Sequence, residues 1–258
     1  MQSNTKQMNL IETLYNASDL KQPISKAIIP ENISKSDAYN IQHQITEKKA
    51  TLKDDKLLGY KISLTSEETQ ALFHSTTPLY GALTQTSLSD GTIKLNNMQS
   101  PLIEIELMFI ADEDLSTEDD FQSILQKTSI APGLEIPDSR FTDWFPNLSF
   151  GQIIADSAVA GNVVVGAPVQ GLTVEQLGNI NAELQLDGEI IAKGSSSEVL
   201  GNPVHAINWL IDELAKNGHS IKKGMIISSG TFILPKVLQK GIYQVRFEDV
   251  GEVSLHVV

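Results

Sequence analysis

Between Pro101 and Ile110 the chain reads PLIEIELMFI, with two carboxylates spaced two residues apart inside an otherwise apolar run. In a strand alternate side chains share a face, so Glu104 and Glu106 point one way among Leu102, Met108 and Ile110, while Ile103, Ile105, Leu107 and Phe109 point the other. Both faces read as buried. Two buried carboxylates with Cα atoms about 7 Å apart repel, and they are costly to hold unless a cation or hydrogen-bond donors satisfy them. Glu135, between Leu134 and Ile136 and just after the turn residues Ala131-Pro132-Gly133, supplies a third acid in similar surroundings. Three carboxylates plus waters at about 2.1 Å suit Mg²⁺ or Mn²⁺ and leave positions open for a chelating substrate. Spacing alone leaves a second arrangement open, with Glu104 and Glu106 on a solvated strand edge and Glu135 in a turn.

The elements that must position these acids read as α+β. Asn9 to Ala17 is a short amphipathic stretch, and Ser36 can cap a helix through Lys49 with Ala38, Tyr39, Ile41, Ile45 and Ala50 near helical spacing. From Gly59 onward, short β-like runs alternate with turn residues such as Ser89-Asp90-Gly91, Gly166-Ala167-Pro168 and Asp187-Gly188. This predicts a helical region over residues 1–56 and a β-rich region over 57–258 that form one functional unit. Two helices are expected inside the β region: Ser116 to Gln126, with Thr117 as a cap, and Asn202-Pro203 to Asn217, closed by Gly218. Further strands are expected at Met225–Ser228, Gly241–Phe247 and Glu252–Val258.

Composition narrows the function classes. Over 258 residues, 32 Asp+Glu against 19 Lys+Arg give a net charge of −13, which argues against nucleic acid or an anionic membrane as partner. The absence of cysteine removes thiolate zinc sites, disulfides and cysteine nucleophiles, and it fits a reducing cytoplasm. The polar start, Met1 to Asn9, lacks the apolar core of a signal peptide. No run reaches the roughly 20 apolar residues of a membrane span. Gly161 and Gly166 lie without a lysine in phosphate-loop spacing, and Ser228-Ser229-Gly230 is not a nucleophile elbow. A hydrolytic pairing of His43 with His74 is the weakest of the alternatives.

Several segments, in order, resemble the 2-keto-4-pentenoate hydratase and 4-oxalocrotonate decarboxylase family of the fumarylacetoacetase-like superfamily. They are Asp37-Ala38-Tyr39-Asn40-Ile41-Gln42, Gly59 to Ser66, Pro78-Leu79-Tyr80-Gly81, Glu104-x-Glu106, Leu134-Glu135-Ile136-x-Asp138-Ser139-Arg140, Asp143-Trp144, Ala155-Asp156-Ser157-Ala158 and Leu200-Gly201-Asn202-Pro203. The resemblance implies a mixed β-roll or barrel like the fumarylacetoacetase C-terminal region, preceded by helices. It implies a cytoplasmic homo-oligomer, pentameric or decameric, acting as a lyase on a small 2-oxo or 2-hydroxy-dienoic acid.

By resemblance, Glu104, Glu106 and Glu135 are the metal ligands and Mg²⁺ or Mn²⁺ the cofactor. Lys61 and Asp156 are then the catalytic pair, and Leu64, Ser66, Leu79 and Ser157 contact substrate. The reaction would hydrate a 2-hydroxy-2,4-dienoate to a 4-hydroxy-2-oxo acid; the alternatives are decarboxylation of a 2-oxo-enedioate and a non-catalytic metal-binding assembly partner. The residues themselves leave other roles open: Lys61 as a lysine reaching out from a strand, Asp156 and Ser157 as turn or core hydrogen-bonding groups, Asp138 and Arg140 as an ion pair pinning the Glu135 loop, and Trp144 as core. Leu79 stands where hydratases tend to carry Asp and decarboxylases an apolar residue. Ser139-Arg140 with Asp143-Trp144 is closer to the hydratases. Ser63 replaces a usual glycine, and Ala155 to Val159 departs from Ala-Asp-Asn-Ala-Ser.

Overall fold

The computed structural model describes residues 2–258, with side chains from residue 8 onward. Helices α1 (Gln2–Leu20) and α2 (Lys35–Lys53) precede strand β1 (Leu57–Ser63). There follow α3 (Glu67–Leu72), β2 (Leu79–Thr84), β3 (Thr92–Ile93), β4 (Leu102–Ala111), α4 (Phe121–Gln126), β5 (Thr128–Ile136), α5 (Phe150–Ala155), β6 (Asn162–Val165) and α6 (Val174–Leu177). The chain ends with β7 (Asn181–Leu186), β8 (Glu189–Ser195), α7 (Pro203–Lys216), β9 (Ile226–Thr231), β10 (Lys236–Val237), β11 (Gly241–Phe247) and β12 (Gly251–Val257).

Local chemistry accounts for the helix ends. Ser34, not Ser36, caps α2, accepting from the Asp37 N–H. Asp120, rather than Thr117, caps α4, which starts at Phe121; residues 116–119 form a turn held by the Asp119 carboxylate on Ser116 N–H. Asn202 caps α7 with Pro203 in the first turn, as expected. Among the described residues no helix is long and apolar enough to cross a membrane.

Two mixed sheets form the body. The larger runs β2-β1-β9-β4-β5-β6, with β10 on β4, and the smaller β3-β12-β11-β7-β8. An isolated bridge from Leu88, just beyond β2, to Val163 of β6 draws the two edges of the larger sheet together, so the sheet curls into a half-barrel. On its inner face Leu83, Met108, Ala131, Val163 and Ile226 make a small separate apolar cluster, which adjoins Lys61, Glu104, Glu106, Glu135 and Ser228, with Val163 directly opposite Glu135 and Met108 opposite Ser228. The outer face carries Tyr60, Ile62, Ile103, Ile105, Leu107 and Phe109 into the main core. Helix α2 is fixed to this wall by Gln42, whose amide donates to the Tyr80 and Ile154 carbonyls and accepts from the Ala82 N–H.

Candidate metal centre and its surroundings

Strand alternation delivers Glu104 and Glu106 to one face of β4, and antiparallel pairing of β4 with β5 places Glu135 directly opposite Glu104. One carboxylate oxygen from each of the three lies within 4.8 Å of the others. Exposure falls from 9% at Glu104 to 1% at Glu106 and 0% at Glu135, so Glu104 lies nearest solvent and the solvated-edge arrangement is excluded.

Two features of β9 hold Glu106. Ser228 Oγ and the Gly230 N–H both donate to Glu106 Oε2, the latter at 2.8 Å. Pairing between β4 and β9 shifts register between Glu106 and Met108, a bulge that aims Gly230 N–H at the carboxylate. Gly230 has φ of +121°, and a Cβ there would lie 2.3 Å from Thr65 Oγ1, so only glycine fits.

Lys61, on β1 beside Ser228, is 1% exposed, and its Nζ lies 2.6 Å from Glu135 Oε1. The two form a close buried ion pair, and no further donor among the described residues reaches either Glu135 oxygen. Burial alone would depress the lysine; Glu135, Glu104 and Glu106 outweigh it and raise Lys61 above its ordinary value. Burial, then the neighbouring Glu135, push Glu104 up to about 8, and the same causes raise Glu106 well above the ordinary carboxylate range. Three carboxylates and one ammonium leave the fully ionised cluster short of two positive charges. The clustered oxygens, with Lys61 as the one cation against three carboxylates, fit a divalent cation with hard oxygen ligands.

The other expected site residues distribute unevenly. Leu79, fully buried, lies on β2 opposite Ser63 and shares the inner face with Lys61. Ser66 caps α3 and lines clefts of about 430 and 680 Å³, the first shared with Thr231 and the second with Thr65 and Pro78. Leu64 is buried with φ of +59° at the end of β1, its carbonyl accepting from Gln70.

Asp156 does not face the acids. Its carboxylate accepts from Arg140 Nε, the Arg140 N–H and Ser139 Oγ. Burial raises its pKa while Arg140 works in the opposite direction. The expected Asp138–Arg140 ion pair is therefore replaced by Asp156–Arg140; Asp138 instead accepts the Gln99 and Ser100 N–H groups, and only its carbonyl meets Arg140. Arg140 also donates to the carbonyls of Asp156 and Ala160. Between these anchors Ser157, Ala158 and Val159 all have positive φ, at 52°, 51° and 53°. Such a run is disfavoured for L-residues, β-branched valine above all, and persists because its surroundings fix it. The Ser157 carbonyl packs against Gly81, the register partner of Lys61.

Trp144 is core, donating through Nε1 to the Ser100 carbonyl. His43 bonds Tyr80 Oη and His219, whereas His74 is exposed and plays no part, so the His43–His74 pairing does not form. Burial, then His219, lower His43 to about 4. Ser228 and Gly230 escaped the sequence reading; the signal available was a glycine inside a strand, a mark of a bulge or a close backbone approach.

The chain matches no protein-family model. It is 31% identical over 252 residues to a 2-keto-4-pentenoate hydratase of Paraburkholderia xenovorans, covering 94% of this chain and 91% of the relative. A 4-oxalocrotonate decarboxylase of Pseudomonas putida is 27% identical, covering 86% of this chain and 85% of its own. Among solved structures, 4-oxalocrotonate decarboxylase from Pseudomonas putida G7, complexed with magnesium and adipate, superposes with a TM-score of 0.89 at 23% identity, covering 99% of this chain and 98% of that one. Fumarylpyruvate hydrolase from Pseudomonas aeruginosa, with Mn²⁺ and pyruvate, gives a TM-score of 0.56 at 13% identity, with 77% and 88% covered.

Proposed function

Because the chain belongs to the 2-keto-4-pentenoate hydratase and 4-oxalocrotonate decarboxylase family of lyase-type enzymes, we propose that it hydrates a 2-hydroxy-2,4-dienoate to a 4-hydroxy-2-oxo acid at the Glu104, Glu106 and Glu135 cluster. The observation that carries this reading is the enclosed acidic triad with Lys61 against it. Glu104, Glu106 and Glu135 hold a divalent ion, Mg²⁺ or Mn²⁺, which when bound neutralises the acids and polarises the substrate's 2-oxygen. The oxygen-only donor set supports these ions, as do the magnesium and Mn²⁺ named for two proteins of the same fold.

Lys61 Nζ is the group placed to hold or deliver a proton at the substrate's reacting end, with Glu135 as its counter-ion. Ser228 and Gly230 orient Glu106. Leu79 and Leu64 supply apolar contacts to the dienoate chain, and Ser66 meets substrate from the rim. Asp156 acts on the site through the Ser157 turn. Residues 1–56 and 57–258 work as one unit, a reading the Gln42 contacts support. Exposed Ile190, Leu234, Val237 and Ile242 support assembly into a homo-oligomer, pentameric or decameric, and the absence of cysteine supports a cytoplasmic setting.

One observation favours the decarboxylase as a second reading: Leu79 puts an apolar group, not a carboxylate, beside Lys61. The deciding experiment follows the ultraviolet absorbance of 2-hydroxypenta-2,4-dienoate, and CO₂ release from 2-oxo-3-hexenedioate, with metal-loaded and EDTA-treated protein. Metal-dependent loss of the dienol supports hydration, and CO₂ release supports the second reading. Neither reaction with loaded protein overturns both.

A further inference from the structure

A second concentration of chemistry lies away from the acidic triad. Lys21 at the end of α1, Lys49 near the end of α2, and Arg140 line one cleft of about 680 Å³, a size usual for a ligand pocket. A small adjoining cavity shares Ser18, Lys49, Ser87 and Arg140 and reaches Asp156 and Ser157. None of Glu104, Glu106, Glu135 and Lys61 lines either.

Both lysines face the cleft without a carboxylate of their own. Among the described residues neither Lys21 nor Lys49 makes an ion pair or a side-chain hydrogen bond. The carboxylates within electrostatic reach are engaged elsewhere. Asp19 pairs with Lys53 at 3.1 Å, and Asp55 accepts from the N–H and hydroxyl of Thr86. Asp138 is taken by the Gln99 and Ser100 N–H groups, Asp156 by Arg140 and Ser139, and Asp90 Oδ1 by the Thr92 N–H. Arg140 makes four N–H contacts, all to Asp156, Asp138 and Ala160. With about five N–H donors on a guanidinium, one on Nη2 remains. Burial, then Arg140, hold Lys49 down to about 8 and lower Lys21 as well, and the nearby carboxylates offset this only in part.

We propose that this cleft binds a small dianion, an oxyanion of the phosphate kind or a short dicarboxylate, through Lys21, Lys49 and the remaining Nη2 hydrogen of Arg140. The lining carries Lys21, Lys49, Lys94 and Arg140 against Asp90 and Asp138, and this excess of two positive charges sets the charge of the ligand at two. Ser18 and Ser87, which line both cavities, add neutral hydroxyl donors. Lys21 is exposed and Lys49 half-buried, so the cleft offers one cation to solvent and one within its wall. The site does not depend on the lyase reading.

The test is calorimetric titration of the whole 258-residue, metal-free chain at low ionic strength, with inorganic phosphate in one arm and succinate in the other. Metal is left out so that neither anion can bind through it. Saturable binding of one anion per chain is expected in at least one arm, and that arm names the source class. A Lys21→Gln/Lys49→Gln double variant should bind at least about tenfold more weakly, while its Mn²⁺ titration stays unchanged. Independently of that variant's folding, NMR of ¹³C-methylated lysines in the parent chain should show the Lys49 pKa rising from about 8 when the anion is added. Absence of saturable binding in both arms, parent-like affinity in the folded double variant, or a Lys49 signal indifferent to a bound anion would each overturn the proposal.

Discussion

Gly81 and Ser157 meet across the inner wall of the half-barrel so closely that a Cβ on Gly81 would sit 2.0 Å from the Ser157 carbonyl oxygen. The obstacle is backbone, held from behind by Arg140 on the carbonyls of Asp156 and Ala160, so it cannot swing aside as a side chain would.

Gly81→Ala is therefore expected to cost on the order of 3 kcal/mol of stability, read as a lowered urea midpoint. Because Gly81 is the register partner of Lys61, residual folded protein should also turn over more slowly. A variant with the parent midpoint would show that the turn yields freely.

Glu106→Gln removes one anionic ligand and presents an amide to the two donors now satisfied by the carboxylate. Mn²⁺ titration should show sharply weaker binding, while the metal-free variant should gain stability over the parent as pH rises, because the parent's raised Glu106 must then ionise and the amide cannot. Ser228→Ala leaves the ligand and removes its orienting hydroxyl, with an expected loss of about 10- to 100-fold in affinity. Unchanged titrations in both variants would remove the metal from this site.

Lys61→Met separates chemistry from metal binding. Turnover should fall by about 10² to 10⁴, the usual contribution of a positioned proton donor or acceptor. Metal affinity should hold or rise, since the ammonium competes for Glu135. Parent-like turnover would take Lys61 out of the reaction.

The acids also set a pH dependence. Glu104 has an ordinary pKa of 4.5 and is raised to about 8 by burial and Glu135. Over that window the folded, metal-free chain keeps a proton that the unfolded chain has released, so its stability falls as pH rises from about 4.5 to about 8. A metal must displace this proton and the one Glu106 retains, so affinity climbs across the window. Melting temperatures at several pH values, with Mn²⁺ and with EDTA, should diverge as pH rises; a constant gap would contradict the assignment.

The triad was legible because strand alternation is a local rule: once PLIEIELMFI is a strand, Glu104 and Glu106 share a face. The facing of Glu104 and Glu135 is a register between distant segments; the apolar neighbours of Glu135 suggested a shared site, and the resemblance strengthened it. Arg140 shows the limit. Asp138 is its near neighbour in sequence, but Asp138 turns to the amides of Gln99 and Ser100, and the arginine reaches Asp156. Ser, Ala and Val give no local hint of three left-handed residues, because that conformation is imposed by contacts from outside the segment. The α2 cap was missed by two residues because Ser34 and Ser36 are both competent, and the carboxylate three positions on, Asp37, marks the first.

The apolar cluster of Leu83, Met108, Ala131, Val163 and Ile226 beside the acids bears on the order of events in turnover. The cluster is buried against the acids, and exposure rises from Glu135 to Glu104, so solvent approaches the site from the Glu104 side. A site approached from one side is loaded and emptied in sequence: the ion goes in before the organic acid, and the product must leave before the ion can exchange. Under saturating substrate, an added chelator should therefore strip the enzyme more slowly than it strips the resting protein.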